Sequence, residues 1–145
     1  MNTPLTRKFA VIGSTLAVAA SSLILASSPA SAATSCYADG CQGRDPSSTT
    51  CQNDARTVAT SDYPGVELRY SPTCRAAWAR YSRGIATWGM YVTVQRQDGN
   101  GSYSTHYYGN GASVWTPMVN DKDLKSRACG YADDGSGAFG CTDWY

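Results

Sequence analysis

Two residue types are almost missing from this chain of 145 residues. His106 is its only histidine and Glu67 its only glutamate. No C-x-x-C pair occurs, so the usual zinc ligand spacings are absent. Ser136 lies in Gly135-Ser136-Gly137 and lacks the G-x-S-x-G setting of a nucleophile elbow. Asp98, Asn100 and Ser102 mimic the start of a calcium loop, but Tyr103 replaces the required glycine and Gly109 the closing glutamate. The Asp133-Asp134-Gly135 turn is then the remaining cation candidate, a weak one. No stretch of ten residues carries a helical apolar stripe, and no repeat or low-complexity tract divides the chain. These gaps leave neither a metal nor a cofactor to be expected.

Charge of one sign is also lacking. Arg7 and Lys8 belong to a leader-like start; without them ten basic residues face eleven acidic ones. Such a balance gives no long-range field toward nucleic acid or an anionic membrane. The leader has three parts: the basic pair, an apolar run from Phe9 to Leu25, and Ala30-Ser31-Ala32, which offers small residues before a cut. We therefore expect a signal peptide over 1–32 and an exported domain over 33–145, with no stable membrane insertion after cleavage.

All six cysteines follow that leader. An even set of thiols in an oxidising compartment becomes disulfides, and a domain of this size buries too little surface to do without them. Six cysteines allow fifteen pairings. Local spacing favours Cys129–Cys141 around a Gly-rich turn, then Cys51–Cys74 flanking a strand pair, leaving Cys36–Cys41.

Short alternating segments separated by turns predict an all-β fold, a small disulfide-stapled sandwich or barrel. Residues 55–60 form a short strand, and Asp62-Tyr63-Pro64-Gly65 a strong turn. Val66, Leu68 and Tyr70 then point one way, with Glu67 and Arg69 opposite. Residues 75–83 suit helix or strand equally. From Trp88 to Arg96 the alternation returns, placing Trp88, Met90, Val92 and Val94 inward and Tyr91 and Thr93 outward. Asp98-Gly99-Asn100-Gly101 closes a hairpin onto Tyr103, Thr105 and Tyr107. Pro117 marks residues 114–119 as an edge, and 128–141 reads as a last hairpin.

The aromatic residues carry the functional signal. Ten tyrosines and four tryptophans stand against two phenylalanines; their amphipathic rings suit half-wet surfaces. Trp78, amid Arg75, Arg80 and Arg83, reads as a core tryptophan whose arginines pair with aspartates. Tyr107, Tyr108 and Trp115 flank the Gly109-Asn110-Gly111 loop and are the candidate ligand-binding residues, since loops on a rigid scaffold commonly bind.

Cys36-x4-Cys41-x-Gly43-x-Asp45-Pro46, Cys51, and the run from Val66 to Arg80 containing L-R-Y-S-P-T-C-R-A-A-W-A-R resemble the DUF2690 family over about Cys36 to Cys129. The resemblance implies a domain of Gram-positive bacteria without an established reaction. It occurs as a secreted form or as the outer end of membrane proteins with cytoplasmic DNA-binding segments. It implies a mainly structural role for Asp45, Pro46, Arg69, Tyr70, Cys74, Trp78 and Arg80. This chain looks like the secreted form.

The expectation is a non-catalytic binding module at or outside the cell envelope, engaging a glycan or a protein. One alternative is a small hydrolase using Glu67 with Asp54 or Asp62, or His106. A third is a secreted inhibitor, toxin or wall-structural protein.

Overall fold

The Asp62–Gly65 turn and the Asp98–Gly101 turn set the two hairpins around which the chain is built. The computed structural model describes residues 33–145; the leader expected over 1–32 lies outside the described residues. Strands β1 (Arg56–Thr60), β2 (Glu67–Ser71) and β3 (Ala76–Tyr81) run as an antiparallel meander. The chain then crosses to a second sheet with β4 (Met90–Arg96) and β5 (Ser102–Tyr107). It returns for β6 (Val114–Trp115) and β7 (Val119–Asn120), which pair with the two ends of β3. It finishes in the second sheet with β8 (Ser126–Ala132) and β9 (Ala138–Cys141). One sheet therefore runs β1-β2-β3 with β6 and β7 on its far edge, and the other runs β5-β4-β8-β9.

The inner faces pack on each other as a β-sandwich. Leu68, Tyr70, Ala77, Ala79 and Tyr81 of the first sheet share one core with Met90, Val92, Val94, Tyr107 and Ala128 of the second. At about 25 cal/mol per Å² of apolar surface, burying each large side chain contributes roughly 1.5–3 kcal/mol. Tyr81 and Tyr107 meet edge to face within it, 4.9 Å between centroids.

A second, smaller core lies on the outer face of the first sheet. Residues 33–55 wrap that face in short 3-10 turns. Beneath them Cys41, Cys51 and Cys74 pack with Ala76, Trp78 and Met118. Cysteine pairs at bonding distance hold the wrap and the last hairpin: Cys36–Cys41, Cys51–Cys74 and Cys129–Cys141. Backbone bonds from Gly43 N–H to Met118 O and from Met118 N–H to Arg44 O complete the seal.

β3 is covered on both faces, by the sandwich core and by the wrap. That explains why residues 75–83 show no alternation. One inward assignment is corrected. Trp88 is 41% exposed, because β4 begins only at Met90 and Trp88 sits in the preceding loop, stacked on Tyr63. Thr93 does lie on the face opposite Val92 and Val94, but it is covered there, beside Cys129 of β8 and with its hydroxyl meeting that of Ser104. Among the described residues no helix is long and apolar enough to cross a membrane.

Candidate functional site

The period of two in β2 and β3 puts a polar row on the first sheet's outer face. Glu67 and Arg69 alternate with the core residues Leu68 and Tyr70, and Trp78 and Arg80 alternate with Ala77 and Ala79. Register then sets Glu67 opposite Arg80, Arg69 opposite Trp78, and Arg80 opposite Trp115. The wrap covers only part of this row. Between its edge and β6 a groove of about 270 Å³ remains, lined by Trp78, Trp115, Arg69, Arg80, Gln52 and serines 47, 82 and 113.

Electrostatics within the groove are asymmetric. Glu67 pairs with Arg80 and both of its oxygens accept hydrogen bonds. Oε2 accepts from Arg80 Nε and Nη2 and from the Thr57 hydroxyl, and Oε1 accepts from the Ser82 hydroxyl. Burial pushes the Glu67 carboxyl up, but the bonds from Arg80, Ser82 and Thr57 outweigh it and hold the group below the ordinary glutamate value. Arg69 donates to the Thr57 hydroxyl and the Ala55 carbonyl, both neutral. Burial, then the nearby charge of Arg80, holds its guanidinium below the ordinary arginine value, with Glu67 opposing.

Trp115 is fixed from outside the sheet. Its indole N–H donates to Asp45 Oδ1 at 2.9 Å, and the same carboxylate accepts from Ser47 N–H to cap the 3-10 turn Pro46–Ser48. Burial pushes the Asp45 carboxyl up; the bonds from Trp115 and Ser47 more than offset this and lower it. Trp115 is left 38% exposed.

The other residues singled out from sequence fall elsewhere. Tyr107 is a correction: it is fully buried, its hydroxyl donating to Ala86 O and accepting from Gly111 N–H. Its place opposite Met90 in the β4–β5 register turns it into the core. Tyr108 is 74% exposed but does not line the groove; its ring meets His106 edge on. His106 Nε2 lies 2.9 Å from Asp133 Oδ1, and its buried Nδ1 has no hydrogen-bond partner among the described residues. A triad needs a nucleophile on the second ring nitrogen, and among the described residues none is there. Asp54 is bound by the Ser71 hydroxyl and Thr73 N–H. The sulfurs of Cys36, Cys41, Cys51 and Cys74 lie within 4.8 Å of one another. All four are joined in disulfides and offer no thiolate to a metal.

Sequence reasoning missed Gln52, Ser47, Ser82 and Ser113, and took Arg69 and Arg80 as structural. The outward position of Arg69 was readable. The approach of Asp45 to Trp115 across seventy residues left no local trace.

The fold and groove define the class: an all-β, disulfide-linked sandwich with a charged aromatic groove on one outer face. The sequence model of DUF2690, described as a protein of unknown function, matches residues 39–129, and the chain belongs to that family. Comparison with curated proteins and with solved structures gives no match.

Proposed function

We propose that this protein is an exported, non-catalytic binding module that engages a glycan or protein ligand at or outside the cell envelope. The observation that carries the reading is the groove built by Trp115, Trp78, Arg69 and Arg80. Aromatic and arginine side chains in a shaped recess are the residue types that supply most binding energy. Its volume of about 270 Å³ lies just under the usual range of ligand pockets, which starts at about 300 Å³, and suits one unit of a polymer more than a dinucleotide cofactor. Disulfides are stable in an oxidising compartment and support export.

The hydrolase alternative fits less well. A general acid must hold its proton near working pH, whereas Glu67 is lowered below the ordinary glutamate value by the hydrogen bonds it accepts from Arg80, Ser82 and Thr57.

The test is retention of purified mature protein on isolated cell-wall polysaccharide and on total secreted protein. Trp115→Ala should lose retention with the fold kept and only a small fall in melting, from the lost bond to Asp45, and Tyr108→Ala should keep both. Equal retention of wild type and Trp115→Ala would remove the groove from the function.

A further inference from the structure

We propose that the groove takes a carboxylated saccharide, with the sugar ring on the Trp115 face and its carboxylate on the guanidinium of Arg69 and the free edge of Arg80. This deepens the binding-module reading and rests on it. The first support is charge. Two guanidinium groups line the groove and, among the described residues, no carboxylate does. Two anions stand nearby and both are engaged: Asp45 accepts from the Trp115 indole and Ser47 N–H, and Glu67 accepts from Arg80, Ser82 and Thr57. Arg80 uses Nε and Nη2 on Glu67, and Nη1 makes no hydrogen bond among the described residues. Arg69 is matched only by neutral oxygens, so among the described residues its charge has no contacting counterion. A planar guanidinium matches a carboxylate in a forked pair.

The second support is the aromatic wall. With its N–H held by Asp45, the Trp115 indole is fixed in place and lines the groove as ring surface with its donor already spent. A preordered ring face suits the C–H face of a sugar at little entropic cost. Hydroxyls of Ser47 and Ser113 and the Gln52 amide stand around the same recess, matched to ring hydroxyls. A phosphate would satisfy the arginines but would leave the indole face and these hydroxyls without a role.

The experiment measures retention on peptide-free wall polysaccharide in three forms: untreated, with carboxylates amidated by carbodiimide coupling, and with phosphodiesters removed by hydrofluoric acid. Amidation should weaken binding by at least about tenfold and phosphate removal should leave it unchanged. Arg69→Gln should weaken binding to the untreated form similarly, and added salt should weaken wild type. Retention indifferent to amidation overturns the carboxylate assignment while the binding module stands. Loss on phosphate removal assigns a phosphate instead and likewise overturns it. Retention only on secreted protein overturns the saccharide while keeping the module. No retention on any matrix defeats the module itself, and this proposal with it.

Discussion

Trp115 and Asp45, seventy residues apart in the chain, meet through a single indole N–H···carboxylate bond of 2.9 Å. The bond ties the wrap to β6 at the margin of the first sheet, and it fixes the ring that edges the groove. A structural turn and the aromatic ring that lines the groove thus share one carboxylate.

Asp45→Ala should therefore act twice. Loss of the cap on residues 46–48 should cost about 1 kcal/mol, read by denaturant unfolding. Release of the indole should weaken wall retention more than that change in stability explains. Asp45→Asn keeps an acceptor oxygen and should recover most of both.

Trp78→Ala should destabilise the domain by about 3–5 kcal/mol, because only 4% of Trp78 is exposed and it packs under the disulfide wrap. A loss below about 1 kcal/mol in the same unfolding experiment would mean that the wrap collapses onto the space without cost.

The buried carboxyl of Asp121 makes stability depend on pH. Burial pushes it up to about 6, with the Ser126 hydroxyl and the charges of Arg75 and Arg96 opposing. Between the unfolded value of 3.8 and about 6 the folded protein holds the extra proton, so stability from this group falls as pH rises through that window. A tenfold change in proton affinity is worth about 1.36 kcal/mol, so Asp121→Asn should gain roughly 2–3 kcal/mol at pH 7 and almost nothing near pH 4. A gain independent of pH would show that the side chain's charge is not the cause. Glu67 works in the opposite direction: its lowered value contributes stability above the ordinary carboxylate range, lost as pH falls through its folded value.

Removing the cysteine pairs one at a time should rank by loop length. Separations of 23, 12 and 5 residues for Cys51–Cys74, Cys129–Cys141 and Cys36–Cys41 order the expected losses. In the chain-entropy picture these are about 3.4, 2.8 and 2.1 kcal/mol. Paired Cys-to-Ala variants and calorimetry would check the order.

Much of the fold was legible in the sequence. Alternation in 66–70 and 90–94, and turns at Asp62–Gly65 and Asp98–Gly101, appear where the strands and hairpins do. Legibility failed where alternation is uninformative. β3 is covered on both sides, and Trp88 continues the pattern of β4 into a loop. Tyr107 borders a glycine-rich loop that suggests a binding rim, yet its place in the alternation of β5 sends it inward. The groove was harder to foresee, since it exists only where register brings Arg69, Arg80 and Trp115 beside a segment some seventy residues upstream of Trp115.

The way the two sheets end bears on how the protein survives at high concentration. Unpaired strand edges are templates on which other chains can polymerise. Here β1 carries an irregularity between Thr57 and Ala59, and β9 shifts register against β8 between Gly130 and Tyr131. β6 and β7 are two residues each, with Pro117 between them. Each of these margins is too short or too distorted to seed a continuous ladder. Among the described residues only β5, six residues in regular register, offers a long margin, and its exposed and half-buried positions are serine, threonine, tyrosine and histidine. Any self-association by strand addition is thereby confined to one polar border of the molecule.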